Sequence, residues 1–141
     1  MINYKNNRPF VEGVCLEDIA KTQSTPFYVY SQSKITNTME KLKNVLDSEI
    51  FYAVKANSNQ AIIKLMASLG AGADVVSVGE LERALRAGVK PNKIIFEGIG
   101  KTKKDITLAI EKNIRLINIE SIDELKRVNR VANHHNKKIN I

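Results

Sequence analysis

Apolar residues recur along this chain in two alternating rhythms. Short runs rich in β-branched and aromatic residues read as buried strands. They begin near Ile50, Ala73, Ile94, Leu116 and Lys138. Between them, apolar residues fall three and four apart, the spacing of one helix face. Ile62, Leu65, Met66 and Leu69 line the first such face, and Leu81, Ala84 and Leu85 the second. Ile106, Ala109 and Ile110 line a third, and Ile122, Leu125, Val128 and Ala132 a fourth. Gly70, Gly88 and Asn113 stand where the first three should stop. Ser77 with Glu80, and Ser121 with Glu124, have the spacing of a capping box, and Thr102 with Asp105 is a weaker version. Strand, turn, capped helix and strand again means parallel β/α units. A repeat of about 22 residues suits a (β/α)₈ barrel. Leucine-rich repeats have a similar period, but their Leu-x-x-Leu-x-Leu register is absent.

The first 24 residues lack helical period. Phe10–Val14 reads as a strand and turn, and Leu16–Ala20 as a turn or two of helix. Thr25–Tyr30 reads as a strand with Pro26 at its edge. Ser31 can cap a helix over about 33–46, with Ile35, Met39, Leu42 and Leu46 on one face. Four β/α units and the start of a fifth strand do not close an eight-stranded barrel. The expectation is therefore an α/β chain that builds part of a (β/α)₈ barrel, incomplete by itself.

Composition narrows the function classes. Of 141 residues, 43% are apolar and 26% charged, as in soluble globular proteins. No apolar run has the length of a membrane span, and the first residues lack the apolar core of a signal peptide. The single Cys15 has no internal partner, and no Cys/His cluster has metal-ligand spacing. These signs point to the cytoplasm. The net charge of +7 concentrates from Lys101 onward, on expected helix faces and away from the aromatics. That distribution favours a solvated basic surface over a nucleic-acid site.

The candidate chemistry begins at Ile50–Asn57, a short strand with Lys55 at its exit. A lysine there can keep its stem packed and its amine in a pocket, as a base or a Schiff-base former. It is also explained as a snorkelling strand-end lysine without chemistry. Asp74 would stand on the next strand and Glu80 at the following helix start. In a β/α barrel both lie at the C-terminal strand ends, where active sites are built. Asp74 can share a pocket with Lys55 or simply bond nearby backbone, and Glu80 can be only half of a cap. Glu97 and Gly98-Ile99-Gly100 follow the third strand, and a lone Gly-x-Gly is weak evidence for phosphate binding. His134 and His135 read as surface residues at a helix end.

Four ordered stretches carry a family resemblance: Thr25–Tyr30, Phe51-Tyr52-Ala53-Val54-Lys55-Ala56-Asn57-Ser58-Asn59, Gly72–Leu81 and Lys93–Thr102. They resemble the diaminopimelate decarboxylases, which are alanine-racemase-like, fold type III enzymes, over the first third of a member's length. The resemblance implies pyridoxal 5'-phosphate as cofactor, Lys55 as the lysine that holds it, and Asp74 and Glu80 as cofactor-site residues. It implies decarboxylation of meso-2,6-diaminopimelate to L-lysine by a cytoplasmic homodimer, with a small amino acid as partner and neither nucleic acid nor membrane. It divides the chain into a lead-in over 1–30, partly belonging to a β domain outside this chain, and an incomplete cofactor-binding barrel over 31–141. Val78 stands where the family usually has glycine. The family's phosphate-binding loops, ring-stacking histidine and pyridine-nitrogen partner match no position here, so the chain by itself is expected to lack turnover. The alternatives are a non-catalytic remnant, or a racemase or cofactor-homeostasis protein on the same barrel.

Overall fold

The computed structural model describes residues 2–141, in two compact units that divide after Val45. In the first, β1 (Asn3–Lys5), β2 (Arg8–Val11) and β3 (Val14–Cys15) pair antiparallel in that order. Both hairpins turn on two residues with positive φ, Asn6 and Asn7, then Glu12 and Gly13. That is the signature of the type I′ turn, whose twist matches the strands it joins. The sequence reading missed the first hairpin, because its only local signal is the Asn6-Asn7 pair. The helix α1 (Leu16–Ala20) is fastened to β2 by Arg8, which donates to Glu17 at 2.7 Å and Asp18 at 2.9 Å.

The longer helix α2 (Gln32–Val45) starts where Ser31 Oγ accepts from the Lys34 amide at 3.1 Å, as expected of a cap. Glu12 adds a carboxylate that accepts from the Ser33 amide at 2.8 Å and from the Ser31 and Ser33 hydroxyls. Those bonds, Ser31 first, hold its carboxyl below the usual range. On the expected α2 face Met39 is buried, while Leu42 stays exposed. Thr25–Tyr30 is a correction: it forms no strand and takes no ladder partner among the described residues. A strand is stable only against a neighbour, and Pro26 offers no donor for one. Tyr28 and Tyr30 stack on each other in the open, at 6.4 Å between ring centroids.

The second unit alternates strand and helix throughout. β4 (Phe51–Ala53), β5 (Gly72–Val75), β6 (Ile94–Phe96) and β7 (Leu116–Ile117) form one parallel sheet in sequence order. The order never reverses. A doubly wound sheet has a reversal at its switch point, and a barrel wall does not. Phe51 pairs with Gly72, Ala73 with Ile94 and Ile95 with Leu116, at the same sequence separation each time. The α/β, barrel-type architecture expected from the periodicity is thus the observed one. The run near Lys138 contributes a single backbone bond, from Ile117 N to Asn140 O at 3.0 Å, and no strand.

Three helices, α3 (Gln60–Ser68), α4 (Val78–Arg86) and α5 (Lys103–Glu111), connect the strands, and α6 (Ile122–His134) follows β7. Ala73, Val75, Ile94, Phe96 and Ile117 of the sheet share one buried cluster with Ile63, Leu81, Ala84, Ile106, Ile110 and Val128 of the helices. The stops fall as expected: Gly70, Gly88 and Asn113 all have positive φ. Ile122 is a correction, being 68% exposed. The buried face of α6 runs through Glu124, Val128, Val131 and Ala132, and two residues are about 200° around a helix. The caps differ too. Thr102 and Asp105 make the full reciprocal box, whereas Glu80 and Glu124 bond the amide one residue earlier, at Val76 and Glu120. No helix among the described residues is long and apolar enough to cross a membrane.

Gly72 is where the sheet tolerates no side chain. A Cβ there would lie 2.5 Å from the Phe51 ring and 2.6 Å from the Lys93 carbonyl oxygen. Gly72→Ala should therefore lower unfolding stability by about 1–3 kcal/mol through overpacking. Urea denaturation of the two proteins measures this, and an unchanged midpoint would contradict the register of β4 on β5.

Candidate functional site

Side chains alternate faces along a strand. Ala73 and Val75 enter the core under the helices, so Asp74 faces the other side of the sheet. The register sets Asp74 beside Ala53 of β4 and Ile95 of β6. It is the ionisable side chain of that row, third of four residues in a strand that is otherwise buried.

Lys55 lies two residues beyond β4. The strand ends at Ala53, two residues before the expected exit, and Val54–Ala56 form a 3₁₀ turn. Val54 is fully buried and anchors the turn, while Lys55 is exposed. Tyr52 Oη donates to the Asn57 carbonyl at 2.9 Å and closes the turn from the strand side. Asn57 Oδ1 accepts from the Asn59 amide, and Asn59 caps α3 through the Ala61 amide, each at 2.9 Å. Arg83 donates to the Ser58 carbonyl at 3.2 Å, and Gln60 to the Arg83 carbonyl at 2.9 Å. The turn that carries the amine is thus fixed at both ends.

Asp74 is electrostatically unusual. Its Oδ1 is buried and has no hydrogen-bond partner. Burial, then the negative charge of Glu97, push its carboxyl above the ordinary aspartate range, with Glu80 adding a smaller push; the Lys55 ammonium works in the opposite direction. The topology sets Lys55, Asp74, Glu80 and Glu97 at or just beyond the C-terminal ends of β4, β5 and β6, and the other three all act electrostatically on the Asp74 carboxyl. Of Glu80, one oxygen is committed: Oε2 accepts from the Val76 amide at 2.9 Å, and its own amide donates to Ser77 Oγ at 3.2 Å.

Glu97 had no assigned role in the sequence reading. It is the first residue after β6, its amide continues the ladder to the Val75 carbonyl at 2.8 Å, and its Oε1 accepts from Asn118 Nδ2 at 2.8 Å. The available signal was its place immediately after a buried apolar run, the place Lys55 approximates after β4. Among the described residues no three His, Cys, Asp or Glu side chains group as metal ligands. A separate concavity of about 650 Å³ lies between α5 and α6, lined by Lys103, Arg127, Arg130 and His134 among others. None of the four strand-end residues lines it, so cavity volume does not mark the cluster. The feature that singles it out as a candidate is the unpartnered buried Asp74 oxygen, within the field of the Lys55 ammonium. That pair suits a ligand bearing a carbonyl for the amine and a donor for the carboxylate.

Residues 32–141 match the family model described as pyridoxal-dependent decarboxylase, pyridoxal binding domain. The chain is 43% identical over 141 residues to the diaminopimelate decarboxylase of Aquifex aeolicus, covering 99% of this chain and 34% of that protein. A crystal structure from Aquifex aeolicus superposes with a TM-score of 0.93 at 42% identity, over 98% of this chain and 35% of the other. The diaminopimelate decarboxylase of Helicobacter pylori, solved in complex with L-lysine, gives a TM-score of 0.83 at 41% identity, over 88% and 32%. The chain therefore spans about a third of the length of the relatives it matches.

The raised Asp74 carboxyl makes a signed prediction. The folded chain holds this proton more tightly than the unfolded chain does. Asp74's contribution is then most favourable below the ordinary aspartate pKa of about 3.9, and is lost as pH rises from there through the raised midpoint. Asp74→Asn should remove that slope and become the more stable protein on the neutral side. Parallel urea titrations over the acidic range measure the difference, and curves that stay parallel would contradict it.

Proposed function

The chain belongs to the pyridoxal-dependent decarboxylases, and from that premise we propose that it supplies the cofactor-lysine segment of an enzyme converting meso-2,6-diaminopimelate to L-lysine. The observation that carries the reading is Lys55 on its fixed turn, within the field of a buried Asp74 oxygen that lacks a partner. The cofactor of the family is pyridoxal phosphate. The residues present fit it: an amine for its aldehyde, and an acceptor waiting for a donor.

In this reading Lys55 holds the cofactor covalently through its amine. When bound, the cofactor supplies an electron sink for the charge left on the substrate carbon as carbon dioxide departs. Asp74 accepts a hydrogen bond at Oδ1 from a donor on the cofactor or substrate. Its environment of Glu97 and Glu80 makes a positively charged donor the best match. Glu80 shapes the cofactor side of the mouth by pinning the Val76 amide where α4 begins. Tyr52 and Asn57 keep the lysine's turn closed, so the amine is presented with little reorganisation. The proposal includes an amino-acid substrate, a homodimeric enzyme and a cytoplasmic location, without a nucleic-acid or membrane partner. The identity to diaminopimelate decarboxylases supports the substrate.

Two experiments test it. The chain is incubated with pyridoxal phosphate, reduced with borohydride and mapped by peptide mass. The adduct should fall on the peptide containing Lys55 and vanish from it in Lys55→Ala. An adduct spread evenly over the exposed lysines would remove Lys55 from this role. Separately, a chimera in which this chain replaces the matching third of the Aquifex aeolicus enzyme should form lysine from diaminopimelate, and Lys55→Ala should abolish it. A Lys55→Ala chimera as active as its parent would overturn the assignment.

A further inference from the structure

Two charged residues are buried among the described residues, Lys101 and Glu124. They face each other at 3.2 Å, with side chains 2% and 6% exposed. Lys101 Nζ also donates to the Gly98 carbonyl at 2.5 Å and stands 6.0 Å from the centroid of the Phe96 ring. The backbone on either side of the pair is held as well. Arg127 donates to the Lys101 carbonyl at 2.8 Å, and Glu124 Oε2 accepts from the Glu120 amide at 2.8 Å. One ammonium thus joins the loop after β6, the start of α5 and the first turn of α6.

Desolvating two charges is costly, and an apolar pair of the same volume usually fills a core at least as well. The ion pair therefore needs a further reason, and the Gly98 carbonyl provides one. Gly98 and Gly100 both have positive φ, so this loop leaves the ladder abruptly. Ile99 between them is 86% exposed and contributes no packing to hold it. At its base Glu97 belongs to the acidic neighbourhood of Asp74.

We infer that Lys101 is a positioning residue: braced by Glu124, it grips the Gly98 carbonyl and so fixes the β6–α5 loop, with Glu97 at its base, at the strand-end mouth beside Asp74 and Lys55. The brace acts on the geometry of the mouth, whatever reaction takes place there. Lys101 does not touch the reacting atoms.

The test separates holding the loop from filling the core. In Lys101→Met/Glu124→Leu the pair is replaced by apolar side chains of similar length. The expected result is a urea midpoint close to that of the parent, with two changes at the mouth. Because Asn118 also holds Glu97, the titration is read in an Asn118→Ala background: there the Asp74 carboxyl, followed by carbon NMR, should titrate lower than with the ion pair intact, as Glu97 relaxes away from it. Limited proteolysis within 98–100 should become about tenfold faster, the scale of one lost charge-assisted hydrogen bond. Parent-like titration and cleavage in a stable double variant would show that the pair only fills space, and would overturn the inference. Lys101→Arg provides a second variant that keeps Glu124 paired, should the first fail to fold. A planar guanidinium cannot repeat the ammonium's geometry on both partners, so in the same background Asp74 should shift in the same direction. An unchanged Asp74 midpoint in Lys101→Arg would equally overturn the inference.

Discussion

The parallel register of β4, β5 and β6 is the constraint from which the site follows. It sets Ala53, Asp74 and Ile95 in one row, on the face opposite the helix layer. Because side chains alternate, a slip of one residue would move Asp74 into the apolar cluster and Val75 out of it. Burying an unpaired carboxylate among Leu81, Ile106 and Phe96 would be far worse than leaving one oxygen unpartnered at the mouth. Gly72 reinforces the register from the other end of the strand, where only hydrogen fits against Phe51 and the Lys93 carbonyl. Packing and electrostatics thus select the same alignment.

Much of this was legible in the sequence, because it depends on local signals that tertiary packing then respects. The 3.6-residue period of α3, α4 and α5, their glycine and asparagine stops, and the strand spacing all survive in the fold. Lys55, Asp74 and Glu80 were nameable because each stands at a strand exit or helix start, where side chains of one barrel end converge. The misses share a different origin. Thr25–Tyr30 has strand composition, but a strand is defined by a neighbour, which composition cannot supply. Ile122 has the right residue type and spacing to extend an apolar face, yet it begins the helix on the solvent side. The role of Asn118 in fixing Glu97, and that of Lys101 against Glu124, join residues more than twenty positions apart.

The two Ser-x-x-Glu helix starts show how one local device serves two ends. At α4 and α6 alike, serine accepts from the glutamate amide, and one glutamate oxygen takes the amide just before the cap. Locally the two are interchangeable. They part company in what surrounds the rest of the carboxylate. Glu124 meets the Lys101 ammonium and is sealed from water. Glu80 meets the field of another acid, Asp74, and helps to raise its carboxyl. The first arrangement neutralises charge and braces structure. The second accumulates negative charge within the field of the Lys55 ammonium, which folding alone does not reward. A repeated β/α unit built for stability would make both ends alike. That one end is satisfied and the other left electrostatically open supports the proposal that the strand exits at β4 and β5 are kept for a ligand.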